Sequence, residues 1–112
     1  MRKRTDFFRI EMLALKLLQA GDQYGYEISQ EIAKRTENFF RIREGILYPV
    51  LYRLEDNGYI SSEKKNTSVR QVKVYYHLED KGREYLESLY DYYRKSVDCI
   101  DRFMEIDRKK GA

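Results

Sequence analysis

The run Glu44-Gly-Ile-Leu-Tyr-Pro-Val-Leu-Tyr-Arg-Leu-Glu-Asp-Asn-Gly-Tyr-Ile60 decides how this chain folds. Leu47, Val50, Leu51 and Leu54 recur at helical spacing and would bury one side of a short helix. The opposite side carries Gly45, Tyr48, Pro49, Tyr52 and Arg53. That side is small, aromatic and cationic, which suits contact with a groove better than simple solvation. Pro49 falls in the first turns, where its missing N–H removes at most one ladder bond. It is expected to distort the helix, not to end it. Gly58 is placed to stop the helix, and Ile60 opens a polar, basic hairpin.

That hairpin is predicted as two strands. The first, Ile60 to Lys65, is polar; Asn66-Thr67-Ser68 supplies the turn. The second, Val69 to Leu78, alternates, with Val72, Val74, Tyr76 and Leu78 on one side and Gln71, Lys73, Tyr75 and His77 on the other. One face therefore packs while the other meets water or a ligand. A helix followed by a basic hairpin is the arrangement with which a winged helix-turn-helix reads duplex DNA.

Upstream, a first helix is predicted from about Thr5 to Ala20, ended by Gly21. Phe7, Ile10, Leu13, Ala14, Leu17 and Leu18 mark one face, and Phe8, Met12 and Leu15 a second stripe almost opposite. A surface helix of a monomer needs one apolar face; a second implies another surface to cover, most simply a second subunit. Asp22 is placed to cap a second helix carrying Ile28 and Ile32 and ending near Arg35, and Phe39-Phe40 forms an extended link. A last helix is predicted from after Glu79 to about Lys109. Its residues Leu86, Tyr90, Tyr93, Val97, Ile100 and Met104 are spaced 4, 3, 4, 3, 4, a heptad seam. Nearly thirty residues span roughly 40 Å, so the far end finds little of its own subunit to pack against and is expected to pair with a partner.

Composition agrees with one globular chain: 112 residues, 37% charged and 42% hydrophobic. Tyrosine is abundant, 11 residues against no Trp and 1 Pro, and suits half-buried interfaces because its body is apolar and its tip wet. The net charge of +3 is less informative than its distribution. Arg2, Lys3 and Arg4 open the chain and Lys64, Lys65, Arg70 and Lys73 crowd the hairpin, whereas acidic residues prevail from Asp80 to Arg108. The positive field lies where a polyanion could dock. A single cysteine, Cys99, excludes an internal disulfide and suits a reducing cytoplasm. Neither a leader's apolar core nor a run of roughly 18 apolar residues is present. A soluble, cytoplasmic protein is the expectation.

Tyr24-Gly25-Tyr26-Glu27-Ile28, then Gly45 through Ile60, then Tyr75-Tyr76-His77-Leu78 with Gly82 four residues on, closely resemble the PadR family of bacterial transcriptional regulators. The resemblance covers about residues 8 to 86, and the Leu-Tyr-Pro of the recognition helix is its most specific element. It implies a homodimeric winged-helix protein, usually a repressor, that binds an inverted-repeat operator and in several such families is released by a small, often aromatic effector. The short tail is similar to that of the compact subfamily in which one C-terminal helix makes the dimer. Two departures matter. Family members usually place Ser, Thr or Asn before the recognition helix, where this chain has Arg43. Losing that cap costs about 1 kcal/mol, while Glu44 compensates in part through the helix dipole. The family's glycine-and-arginine wing is replaced by Asn66 to Val74, with fewer cations.

The expected fold is thus mainly α (α+β): a winged helix-turn-helix over residues 1–79 and a dimerisation helix over 80–112. Arg43, Gly45, Tyr48, Pro49, Tyr52 and Arg53 are the candidate groove contacts, with Lys64, Lys65, Arg70 and Lys73 on flanking phosphates. A solvated helix face and a merely soluble hairpin are the plain alternatives. Phe8, Met12, Leu15, Leu86, Tyr90, Tyr93, Val97, Ile100 and Met104 are the candidate dimer contacts. Phe8, Tyr90 and Tyr93 could sandwich a planar aromatic ligand across the dimer axis, although aromatics at helical spacing ordinarily just pack. His77 lacks Cys or His partners nearby, so no metal or cofactor is expected. No nucleophile grouping or phosphate-binding loop suggests an enzyme. A winged-helix adaptor or antirepressor that binds protein instead of DNA is the alternative function.

Overall fold

The computed structural model describes residues 7–68 and 71–111, with side chains from residue 8 to residue 105. In chain order it comprises α1 (Phe7–Ala20), β1 (Gln23–Tyr24), α2 (Gly25–Arg35), α3 (Glu44–Asp56), β2 (Ile60–Ser68), β3 (Gln71–Leu78) and α4 (Asp80–Gly111). Thr5, the basic cluster Arg2 to Arg4, and Arg70 lie outside the described residues. No helix of the described residues is long and apolar enough to cross a membrane.

The core is built where the short helices meet the base of the hairpin. Ile10, Ala14, Leu15, Leu17 and Leu18 of α1, Ile28 and Ile32 of α2, and Leu47, Val50, Leu51 and Leu54 of α3 close on Ile60, Tyr76 and Leu78. Each buried aliphatic side chain contributes roughly 1.5–3 kcal/mol by leaving water, so the apolar side of α3 is what anchors it. Its far end is closed by a Schellman motif. Gly58 takes the left-handed conformation (φ 79°), its N–H bonds Glu55 O at 2.9 Å and the Tyr59 N–H bonds Leu54 O at 3.0 Å. Pro49 sits inside α3 without breaking it, and Arg43 precedes the helix with no side-chain cap, as its side chain dictates.

Three local expectations need correction. Asp22 does not cap α2; its carboxylate lies 2.8 Å from His77 Nδ1. Tyr24 precedes α2 instead, and its N–H is taken by Glu27 Oε1 at 3.1 Å. The two residues before α2 form a third strand, so the antiparallel sheet runs β1-β3-β2 with Gln23 opposite Tyr76 and Tyr24 opposite Tyr75. The first hairpin strand does not turn at Asn66. It continues to Ser68 with a register irregularity between Asn66 and Ser68, because nothing in that polar run forbids a ladder reaching beyond the core.

Burial along β3 fades toward the tip: Leu78 and Tyr76 are buried, Val74 is half-buried and Val72 is exposed. The hairpin therefore projects from the head as a wing. α4 projects the other way. Its 32 residues span about 48 Å, and the molecule measures 65 × 28 × 26 Å. Leu86, near its start, belongs to the head core, whereas Tyr90, Tyr92, Ile100, Phe103 and Met104 are exposed.

Candidate nucleic-acid interface

Burying Leu47, Val50, Leu51 and Leu54 forces the other side of α3 outward. Arg43, Gly45, Pro49 and Tyr52 are exposed there and Tyr48 is half-buried. Beside Gly45 the surface is open, with nothing within 4 Å of where a Cβ would stand, so a partner's backbone could approach closely. Tyr48 and Tyr52 lie side by side with ring centroids 6.1 Å apart. Burial, and then the carboxylate of Glu44, raise the pKa of Tyr48; its phenol stays neutral and able to donate a hydrogen bond.

The start of α2 belongs to the same surface, which the sequence did not lead us to expect. A Cβ on Gly25 would stand 2.5 Å from Tyr48 Oη, so only glycine lets the two helices meet with Tyr48 in this place. Tyr26, 51% exposed, and Tyr24 flank that contact with rings 6.4 Å apart. The signal was present in the Tyr24-Gly25-Tyr26 triplet: two amphipathic aromatics around a glycine that opens a helix.

The wing cations divide between two faces of the sheet. Lys64 is opposite Val74 and so shares the face of Tyr76 that turns toward α3. Lys65 and Lys73 are opposite each other on the other face. Like charges so placed repel, and aromatic rings offset this: Lys73 Nζ lies 4.1 Å from the Tyr24 centroid and Lys65 Nζ 5.0 Å from that of Tyr75. Hydrogen bonding to Tyr24 raises the pKa of Lys73. The four cations expected as one flanking set are therefore two described groups on opposite faces, with Arg70 outside the described residues.

Arg53 is also held from within the chain. Its Nη2 lies 3.3 Å from Glu11 Oε2, and the Glu11 side chain is only 8% exposed. Tyr85 Oη donates to the other carboxylate oxygen, Glu11 Oε1, at 2.6 Å. A carboxylate this buried needs such donors, so Arg53 is engaged in structure even though its side chain is 43% exposed.

On the α4 side, Leu15 and Leu86 are covered by the chain's own core, which removes both from a surface stripe. Phe8, Met12, Tyr93 and Val97 are half-buried, and Tyr90, Ile100 and Met104 are exposed. Phe8 does not join Tyr93; it meets Tyr92 edge-on at 5.8 Å. Tyr90 and Tyr93 stack at 6.2 Å and line a groove of about 550 Å³ with Met12, Leu13, Phe40 and Leu86.

An outward helix face backed by a second helix and a winged hairpin, carried on a long projecting helix, defines a winged helix-turn-helix regulator. Residues 14–88 match the Transcriptional regulator PadR-like family, and the chain belongs to it. A protein of Lysinibacillus sphaericus is 38% identical over 91% of this chain and 95% of its own length. Among solved structures, a transcriptional regulator from Clostridium thermocellum aligns with TM-score 0.83 and 31% identity over 89% of this chain and 97% of that one. Bacillus subtilis PadR, crystallised in complex with operator DNA, aligns with TM-score 0.65 and 27% identity over 70% of this chain and 44% of that one. The family consists of transcriptional regulators, not enzymes.

Proposed function

We propose that this regulator is a cytoplasmic homodimer that binds an inverted-repeat operator through α3 and the wing and acts as a repressor. The observation that carries this reading is the outward face of α3, where the space beside Gly45 is open, Tyr48 and Tyr52 lie side by side, and Tyr48 meets Gly25 at the start of α2. In this reading Arg43, Gly45, Tyr48, Pro49 and Tyr52 enter the major groove, Arg53 serves chiefly by holding Glu11, and Lys64, Lys65 and Lys73 neutralise flanking phosphates. The operator complex of the related Bacillus subtilis protein supports it. Residues 1–79 form the reading head. The α4 helices pair through Tyr90, Tyr93, Val97, Ile100 and Met104, with Phe8 and Met12 alongside; the exposure of Tyr90, Ile100 and Met104 on this heptad seam, with Phe103 beside it, supports that pairing.

Selection of bound duplexes from a random pool at about 150 mM salt tests the reading, since purely electrostatic binding is weak there. A recovered palindrome with half-sites about one helical turn apart is the expected result. A pool that returns unenriched would favour the adaptor alternative and overturn this proposal. The groove beside Tyr90 and Tyr93 also supports a planar aromatic effector, acting by preferring one head separation over another. Planar aromatic dyes should then shift operator affinity and Tyr93→Ala should abolish the shift; affinity unmoved by such dyes removes the effector.

A further inference from the structure

We propose that Glu11, with its hydroxyl donor Tyr85, sets the half-site spacing the protein accepts by locking the recognition helix to the dimerisation helix. This inference rests on the homodimeric, operator-binding reading above.

Three elements converge on one carboxylate. Glu11 comes from α1, Arg53 from α3 and Tyr85 from α4, and the two oxygens of Glu11 are divided between them at 3.3 and 2.6 Å. The same junction is closed by a second set of contacts. The Tyr85 ring lies flat on that of Tyr59, centroids 4.0 Å apart and planes 3° apart. Lys81 Nζ donates to Asn57 O at 2.9 Å. Tyr59 and Asn57 are the residues that close the end of α3, and Lys81 and Tyr85 are in the first turns of α4.

Apolar residues would fill the Glu11 position with less desolvation cost, since a buried carboxylate is weak as a source of stability. What it supplies is direction. Hydrogen bonds to fixed oxygens constrain angle as well as distance, whereas apolar packing tolerates sliding. Burial and the bond to Glu11 both raise the pKa of Tyr85, so its hydroxyl remains a donor.

Angle matters here because α4 is a lever. From Tyr85 to Met104 the helix runs about 28 Å, so a pivot of about 7° at the junction moves the dimer contact by about 3.4 Å. That is the rise of about one base pair, taken from a helical turn of about 34–36 Å per 10–10.5 base pairs. A joint held by directional bonds gives each dimer one head separation; a loosened joint gives several.

The test measures duplex affinity as the spacer between selected half-sites is lengthened and shortened one base pair at a time. Wild type, Tyr85→Phe and Glu11→Gln are compared, each with a thermal melt. Wild type should lose about tenfold or more per base pair away from its best spacing, and the variants about threefold or less. Tyr85→Phe removes the α4 donor, and Glu11→Gln leaves one acceptor oxygen where Arg53 and Tyr85 need two, so each breaks one arm of the junction with little change of volume. A merely structural role would weaken all spacings in parallel and leave the profile's width unchanged. A folded variant with a profile as sharp as wild type overturns the inference while leaving the operator reading intact. A wild type indifferent to spacing overturns the homodimer reading, and this inference with it.

Discussion

Gly82 lies where α4 leaves the sheet. A Cβ there would run into the carbonyl oxygen of Tyr59 and stand 2.7 Å from Leu78 Cδ1. The Tyr59 carbonyl cannot retreat freely, because it accepts the Glu79 N–H at 3.0 Å. Gly82→Ala is therefore expected to lower stability by about 2–3 kcal/mol, near the top of the overpacking range, measured as a shift in denaturant midpoint at constant slope. His77 gives a pH signature. Its pKa is raised, first by the hydrogen bond to Asp22, so the folded chain holds this proton more tightly than the unfolded one. The stabilisation is complete below about pH 6.5 and is lost as pH rises through the raised folded value. With both side chains largely exposed the effect is small, under about 1 kcal/mol. The melting-temperature gap between wild type and His77→Gln should narrow as pH rises from about 5.5 to about 8.5; a gap independent of pH would exclude the ion pair as its source. This pairing was not readable from the chain, because Asp22 and His77 are 55 residues apart.

Among the elements, α3 was the most legible. Four apolar residues at helical spacing and a terminal glycine announced its buried face, its end and hence its outward face. The wing was less so. Its first strand is polar from Ser61 to Ser68, and polar residues carry no alternation by which to judge where pairing stops. A two-residue strand such as β1 has no periodicity at all. Glu11 was hidden for a related reason. A glutamate on an amphipathic helix reads as solvated, and only donors 42 and 74 residues away make its burial tolerable. The division of the wing lysines between two faces leads to a measurable expectation. Lys64→Ala, Lys65→Ala and Lys73→Ala should each lower the logarithmic salt slope of duplex binding by roughly 1, the share of one phosphate, with the preferred sequence unchanged. A lysine whose removal leaves the slope untouched does not meet a phosphate, and the face that carries it would be turned from the DNA.

At the scale of the molecule, a compact head carries a rod that its own core does not cover. Ile100 is 58% and Phe103 66% exposed, and in the proposed homodimer burying such surface is the physical reason for the second copy. The heptad spacing marked this apolar face of α4. That Leu15 and Leu86 would instead be used by the head could not be read from it, since periodicity marks an apolar face without saying which neighbour covers it. Replacing Ile100 and Phe103 together by Lys should separate the protomers and leave the head folded. Palindrome affinity should then fall by about 10²-fold or more, because the second head is no longer tethered to the first, while binding to one half-site persists. Sedimentation equilibrium of the purified chain at micromolar concentration tests the central claim most directly. Pairing through α4 predicts a single species of twice the 13.6 kDa chain mass. A species at the mass of one chain would contradict it.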